Sequence, residues 1–106
     1  MATNASHALS ALGDPTRQAI FERLIGRRLS VGEIAAGLPV SRPAVSQHLK
    51  VLKDAGLVRA QPAGTRRLYE VDQAGLASLR DYLDSFWARS LERFRDEAER
   101  RGPAHG

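Results

Sequence analysis

Apolar residues in the first part of the chain recur at helical spacing. A short apolar stripe within residues 8–12 stops at Gly13, a residue typical of helix ends. Asp14 and Pro15 suit the start of a second helix, because the carboxylate accepts from free backbone N–H groups and proline needs no hydrogen-bond partner there. We therefore predict a short first helix and a second helix that ends near Gly26. The apolar face of the second helix comprises Ile20, Phe21, Leu24 and Ile25.

Two further helices follow, joined by a tight connection. Ser30 and Glu33 have the spacing of a capping box, and we expect this helix to end at the Pro39-Val40 break. Ser41 is suited to cap the next helix, which carries an apolar stripe at i, i+4 and i+7. That stripe consists of Val45, Leu49 and Leu52. The pair predicts a helix-turn-helix over about residues 30–55, in which the first helix holds the second against the major groove of DNA.

The period of the pattern changes after the helix-turn-helix. Residues 57–61 and 67–71 have the pattern of short strands, and Pro62-Ala63-Gly64-Thr65 between them has turn chemistry. A long helix is predicted over about residues 73–101, ended by Gly102-Pro103. The expected fold is mainly α with a small β-hairpin, in the order α-α-α-α-β-β-α. At 106 residues the chain is expected to form one domain.

The second helix of the helix-turn-helix is polar on its exposed face. Glutamine pairs with adenine, arginine with guanine and serine with either, so these residue types suit contacts with base edges. Lys50 and Lys53 lie further along, where we expect phosphate contacts, and Ser41 with the first N–H groups is placed to hold another phosphate. An ordinary solvated amphipathic helix would show the same spacing. The exposed residues are Arg42, Pro43, Ser46, Gln47, Lys50 and Lys53.

The tip of the predicted hairpin is basic. Thr65, Arg66 and Arg67 place a hydroxyl and two guanidinium groups at the turn, where burial is not expected. In a winged helix this hairpin, the wing (about residues 57–71), lies along the DNA backbone or in the minor groove, whose negative potential attracts arginine. Six basic and two acidic residues lie within residues 41–70, so this third accounts for the formal net charge of +4. Two solubilising surface arginines are the alternative interpretation.

Four segments together resemble the ArsR/SmtB family. They are LGDPTR at 12–17, VSRPAVSQHLKVL at 40–52, AGLV at 55–58 and the wing segment at 64–69. Their order and spacing carry the resemblance, which extends over roughly residues 6–95. It implies a winged-helix homodimer that represses transcription at a palindromic operator in double-stranded DNA and is released by a signal.

His48 has two interpretations. The resemblance implies that Ser46, Gln47 and His48 occupy the recognition-helix positions that the family uses at the DNA. His48 also adjoins Leu49 at the edge of the buried stripe, where a hydrogen-bonded histidine that packs between helices is the alternative. The sequence leaves both interpretations open.

The predicted C-terminal helix is longer than one small domain can cover. About 28 residues of helix span about 42 Å, and an apolar stripe continues along that length with a one-residue shift near Phe86-Trp87. We expect Leu76 and Leu79 to pack within their own subunit and the distal part of the stripe to contact a partner; a stripe packed wholly within one subunit is the alternative. The resemblance implies dimerisation through the first and last helices. The predicted dimer-interface residues are Leu9, Leu12, Leu83, Phe86, Trp87, Leu91 and Phe94.

Few residues are available to bind a metal. The chain has no cysteine, and none of its histidines (His7, His48 and His105) lies on the C-terminal helix proper. Asp81 and Asp84 lie on that helix, but a transition-metal site generally also uses imidazole or thiolate. We therefore expect no metal and no cofactor. A small organic effector at the aromatic dimer interface, or no effector at all, stays open.

Other classes of function are less well supported. No stretch approaches the roughly 18 apolar residues of a membrane span, and the first four residues lack signal-peptide features, so we expect a cytoplasmic, nucleoid-associated protein without membrane contact. No nucleophile–base pairing, Gly-rich phosphate loop or metal motif points to an enzyme. The alternative to DNA binding is a winged-helix protein-interaction module. RNA fits less well, because a helix enters the major groove of B-form DNA and not that of A-form RNA.

Overall fold

A computed structural model of the chain describes residues 4–100, in which five helices and a two-stranded sheet follow the predicted order. The elements are α1 (Asn4–Ala11), α2 (Pro15–Leu24), α3 (Val31–Ala36), α4 (Arg42–Asp54), β1 (Val58–Ala63), β2 (Arg66–Val71) and α5 (Gln73–Arg100). The predicted end of the last helix at Arg101 and Gly102-Pro103 lies outside the described residues.

Side-chain caps begin α2, α3 and α4 where the sequence predicts them. The Asp14 carboxylate accepts a hydrogen bond from the backbone N–H of Arg17 at 2.9 Å. Ser30 Oγ accepts from the Glu33 N–H at 3.2 Å, and Glu33 Oε1 accepts from the Ser30 N–H at 2.8 Å, which completes the capping box. Ser41 Oγ accepts from the N–H three residues along at 3.3 Å. Each cap satisfies a donor that the first turn of a helix leaves free.

Two helix ends differ from the prediction. α3 ends at Ala36 with Gly37 as its C-cap, before the predicted break at Pro39-Val40, because glycine gives up more conformational freedom in a helix than any other residue. α2 ends at Leu24, and Ile25 has an extended backbone with φ −63° and ψ 117°. Ile25 is therefore 57% exposed, and its predicted position on the apolar face is wrong, since helical periodicity stops with the helix.

The hairpin turn is tighter than predicted. β1 and β2 pair antiparallel along their whole length, and Pro62 and Ala63, predicted to lie in the turn, pair with the arginines of β2. Gly64 and Thr65 alone form the connection. Gly64 has φ +66° and Thr65 does not have a positive φ, which is the pattern of a type II′ turn with glycine at its first central position.

The base of the wing is fixed to the segment before α3. Leu29 and Tyr69 exchange two backbone hydrogen bonds, of 3.1 Å and 2.8 Å. The Glu70 carboxylate, whose side chain is 15% exposed, pairs with both Arg28 and Arg59 at 3.2 Å. The base of the hairpin is therefore held by the protein, while its tip projects into solvent.

One apolar core joins the first four helices to the base of the wing and the start of α5. Leu79 is the buried residue furthest along α5, and every residue from 83 to 100 is exposed in the single chain. We call residues 4–79 the reading unit and residues 83–100 the distal helix. The molecule measures 67 × 25 × 25 Å. The largest fully buried side chains belong to Ile20, Leu24, Ile34, Val45, Leu49, Leu52, Leu57 and Val58.

The first turn of α5 lies directly against the backbone that follows α4. A Cβ atom placed on Gly75 would overlap the carbonyl oxygen of Gly56, so a larger residue at this position would require the backbone to shift. The Asp72 N–H donates to the Leu57 carbonyl at 2.8 Å, and the Asp72 carboxylate accepts from the Gly75 N–H at 3.2 Å. These contacts attach α5 to the end of the helix-turn-helix.

Candidate nucleic-acid interface

α4 has one buried and one exposed face. Its apolar stripe packs on α2 and α3, and each of the three predicted stripe residues is at most 1% exposed. The Ser41 cap and Pro43 in the first turn define the start of the helix. All residues of the predicted recognition face are exposed: Arg42, Pro43, Ser46, Gln47, Lys50 and Lys53.

Lys50 forms an ion pair that was not among the predictions from the sequence. Its Nζ lies 3.2 Å from the Asp54 carboxylate, one helical turn further on, and both side chains are largely exposed, at 76% and 67%. Such i,i+4 spacing is visible in a sequence and could have indicated the pair. Because an exposed pair of this kind is weak, it leaves Lys50 available to a phosphate.

His48 is half-buried, at the border between the two faces of α4. The hydrogen bond from the backbone N–H of Arg17 is the main cause that lowers the pKa of Asp14, and the nearby Arg17 guanidinium group and His48 ring lower it further. His48 therefore lies near the start of α2, where a packing histidine would lie. Its role at DNA stays a prediction.

The wing tip and the start of α4 share one cleft. Thr65, Arg66 and Arg67 are exposed at the tip, as their position in the hairpin requires. A cleft of about 550 Å³, which we call the wing cleft, separates the tip from residues 30–36 and is also lined by Arg42. The structure thus brings together three arginines that belong to two separate predicted DNA-binding segments.

Glu33 is a second feature of the wing cleft that the sequence did not reveal. Its Oε1 lies 3.9 Å from Arg66 Nη1. Hydrogen bonds from the Ser30 backbone and side chain, followed by the charge of Arg66, lower the pKa of Glu33. The sequence assigns Glu33 only to a helix cap, because its contact with the wing joins positions distant in the chain.

The predicted dimer-interface residues divide into two groups in the single chain. Leu12 packs partly against the core of its own subunit. The aromatic residues Phe86, Trp87 and Phe94 are 57%, 65% and 74% exposed. Large apolar side chains this exposed are characteristic of surfaces that bind a partner. The exposed members of the predicted set are Leu9, Leu83, Phe86, Trp87, Leu91 and Phe94.

The described residues contain neither a metal-binding cluster nor a membrane-spanning helix. Among residues 4–100, no three His, Cys, Asp or Glu side chains are grouped so that they could hold an ion. Asp84 instead lies 3.8 Å from Arg80 in an exposed i,i+4 pair. Within the same part of the chain, no helix combines the length and apolarity that crossing a membrane requires.

Known proteins resemble this chain in sequence and in fold. A family model described as a helix-turn-helix domain matches residues 12–61. The HTH-type transcriptional regulator Rv2034 of Mycobacterium tuberculosis is 64% identical over 84 residues, which cover 79% of this chain and 78% of the relative. The HTH-type transcriptional repressor SmtB of the same species is 40% identical over 75 residues, covering 71% of this chain and 56% of SmtB.

A solved structure agrees with the fold. The homodimeric winged helix-turn-helix DNA-binding domain of Mb0332 from Mycobacterium bovis matches with a TM-score of 0.66 and 27% identity, covering 85% of this chain and 83% of that one. A likeness over that share of both chains extends well beyond the helix-turn-helix. The chain belongs to the ArsR/SmtB family of winged helix-turn-helix transcriptional regulators.

Proposed function

We propose that the protein is a transcription repressor that binds a palindromic operator as a homodimer, with one winged helix-turn-helix in each subunit. The observation that carries this proposal is the exposed polar face of α4, whose first residue, Arg42, lines one cleft together with the arginines of the wing tip. Hydrogen-bonding side chains suit base edges, and guanidinium groups suit phosphates. The relative SmtB is named a repressor, which supports repression.

The exposed side chains have separate roles in this proposal. Ser46 and Gln47 lie mid-helix and contact base edges, whereas Ser41, Lys50 and Lys53 contact phosphates and fix the position of the helix. Lys53 lies eleven residues beyond Arg42, about 16 Å along α4 at the rise of a helix. The positions that contact bases are flanked by Arg42, Pro43 and His48. The wing contacts the DNA backbone or the minor groove through Thr65, Arg66 and Arg67.

The distal helix is the main dimer surface in this proposal. Among residues 4–100, no element covers its apolar stripe, and burial of apolar area is the dominant driving force of association. The solved relative Mb0332 is described as homodimeric. Leu9 of α1 extends the surface, because α1 packs beside α5.

We propose that the signal that releases the protein from its operator is not a metal ion. The chain has no cysteine, and transition-metal sites generally use thiolate or imidazole ligands. A small organic effector at the aromatic dimer surface is compatible with the exposed rings. The proposal includes no catalytic activity, and it assigns the protein to the cytoplasm, on the nucleoid, where an operator is found.

The proposal is tested by a salt titration on two duplexes. Genomic fragments retained by the purified protein are sequenced to define the operator, and a scrambled duplex serves as non-specific DNA. We expect Gln47→Ala to cost about 1–3 kcal/mol at the operator and little on scrambled DNA, because alanine cannot hydrogen-bond to a base edge. The double variant Arg66→Ala/Arg67→Ala should weaken both, and flatten the slope of log affinity against log salt by roughly one unit for each phosphate that is no longer neutralised.

The matched control is Gln73→Ala, an exposed glutamine at the start of α5, which should leave both affinities unchanged. If Gln47→Ala reduces the affinity for the two duplexes equally, α4 is not the recognition helix. A salt slope untouched by the double arginine variant would mean that the hairpin does not contact DNA. If the wild type shows no salt-dependent binding to any duplex, a protein-interaction module is the better description.

A further inference from the structure

Arg42 lies over the backbone of α3. A Cβ atom placed on Gly32 would lie 2.9 Å from Arg42 Nη2 and 3.2 Å from its Cζ. The guanidinium group therefore occupies the space that any other residue at position 32 would fill. From there it lines the wing cleft, so its charge is directed between α3 and the wing rather than along the axis of α4.

The wing cleft concentrates positive charge around one carboxylate. Arg42, Arg66 and Arg67 line it, and Glu33 is the acidic residue among its lining residues. Glu33 Oε1 is 3.9 Å from Arg66 Nη1, and the same oxygen accepts the 2.8 Å hydrogen bond from the Ser30 N–H. The capping box thus holds the carboxylate in place next to Arg66. Arg42 and Arg67 have no ion pair of this kind among the described residues.

We infer that the wing cleft binds one backbone phosphate of the DNA through Arg42 and Arg67, and that Glu33 competes with this phosphate for Arg66. The inference rests on the proposed function and names the chemical group recognised there. A guanidinium group presents several N–H donors in a fixed plane that suits phosphate oxygens. Glu33 already neutralises part of the Arg66 charge, so a phosphate in the cleft gains less from Arg66 than from Arg42 or Arg67.

Glu33 stays charged under the conditions in which DNA is bound. Its pKa lies below the ordinary value because Ser30 donates to the carboxylate and Arg66 lies nearby. The group is exposed enough to be screened by salt, with 46% of its side chain accessible. The competition is therefore modest in size, and it should be clearest at low ionic strength.

The first test is Glu33→Gln. Glutamine serves as the N3 residue of a capping box, so the substitution removes the charge and keeps the helix start. We expect operator and scrambled duplexes to bind about three- to tenfold more tightly near 0.1 M salt, with a steeper salt slope, because Arg66 becomes free for phosphate. The matched control is Glu22→Gln, an exposed carboxylate on α2 that does not line the cleft, and it should give a smaller gain.

Two further arms make the assignment specific. In an Arg66→Ala background, Glu33→Gln should give much less of its gain, because the competition is for that guanidinium group. In the wild type, Arg67→Ala should weaken binding more than Arg66→Ala, although the two arginines are adjacent and both exposed. This second arm does not depend on the stability of the Glu33 variant, whose fold is checked by far-UV circular dichroism.

Three results would overturn the inference: equal gains for Glu33→Gln and Glu22→Gln, a full gain in the Arg66→Ala background, or a larger reduction in affinity for Arg66→Ala than for Arg67→Ala. Binding of a free anion is distinguished by titrating inorganic phosphate against chloride at equal ionic strength. Phosphate that binds at millimolar concentration without reducing the affinity for either duplex would assign the cleft to a small anion instead of DNA. If the wild type binds no duplex, the proposed function fails first, which separates the two failures.

Discussion

The reading unit and the distal helix contain the same kind of apolar side chains and place them in opposite surroundings. In the reading unit, the apolar stripes of α2, α3 and α4 pack against one another, and Ile20, Ile34 and Leu49 are at most 1% exposed. In the distal helix, the stripe that begins at Leu83 stays exposed in the described part of the chain, and Phe94 is 74% exposed. Apolar periodicity therefore predicts which face is buried, but it does not say whether the covering surface belongs to the same chain.

The largest expected effect comes from placing charge on the distal stripe. Leu91→Glu/Phe94→Glu should convert the dimer to monomers, because two carboxylates would have to be buried without partners. Operator affinity should fall by about 100-fold or more, since a monomer does not have the gain from two linked half-sites. Sedimentation at micromolar concentration measures the first effect, and a binding titration the second.

The matched control adds the same charge to the other side of α5. Ser78→Glu/Ser85→Glu places two carboxylates at exposed positions, about 120–140° from Leu91 around the helix at 100° per residue. This variant should remain dimeric and bind the operator. A monomeric wild type would remove the distinction between the two regions, because the distal stripe would then be exposed in the functional protein.

Trp87 reports on the same surface without a substitution. It is the one tryptophan in the chain, and its side chain is 65% exposed in the single subunit. In the dimer, we expect its emission to shift to shorter wavelength and to be protected from acrylamide. Both signals should return to those of an exposed indole in Leu91→Glu/Phe94→Glu. Identical spectra in the two proteins would place Trp87 outside the interface.

A smaller effect is expected where the two regions are joined. Gly75→Ala should destabilise the protein by about 1–3 kcal/mol, because the added methyl group would overlap the Gly56 carbonyl oxygen. Helix propensity alone predicts the opposite, a gain of up to about 1 kcal/mol. Urea unfolding at a fixed protein concentration gives the sign, and Ser78→Ala in the same helix is the control. A Gly75→Ala protein as stable as the wild type would mean that the close approach relaxes at little cost.

No effect is expected from metals in either region. Zinc, nickel, cobalt or arsenite at stoichiometric concentration should leave both dimerisation and operator binding unchanged. The reason is chemical, because the chain offers no thiolate and no histidine on α5. Release of operator by one of these ions, reversed by a chelator, would reveal ligands of another kind.

Local signals in the sequence predicted the helix starts correctly. A cap depends on residues within three positions of one another, so Asp14, Ser30 and Ser41 identify the start of α2, α3 and α4 directly. The stripe of α4 is equally local. The errors at Ile25 and in the hairpin turn lie at element ends, where the period no longer applies.

Contacts between distant positions were not predictable in this way. Arg28 and Glu70 are separated by 42 positions, and no local pattern relates them. The same is true of Glu33 and Arg66, which the sequence pattern assigns to a helix cap and to a wing. Gly75 carried no signal either, because a glycine within a helix indicates only weak propensity until the backbone opposite it is known.

The close approach of Gly75 to Gly56 fixes the start of α5 just after the end of α4. The 28 residues of α5 extend away from that point, so the far end of the helix moves when its start rotates. A helix of this length is about 42 Å long, so a rotation of about 5° at the start of α5 displaces its far end by roughly 4 Å. Conversely, when the far end moves sideways by the width of one side chain, the start of α5 rotates by only a few degrees. A dimer built on this helix therefore keeps the orientation of its two α4 helices nearly constant while the packing at its tips varies.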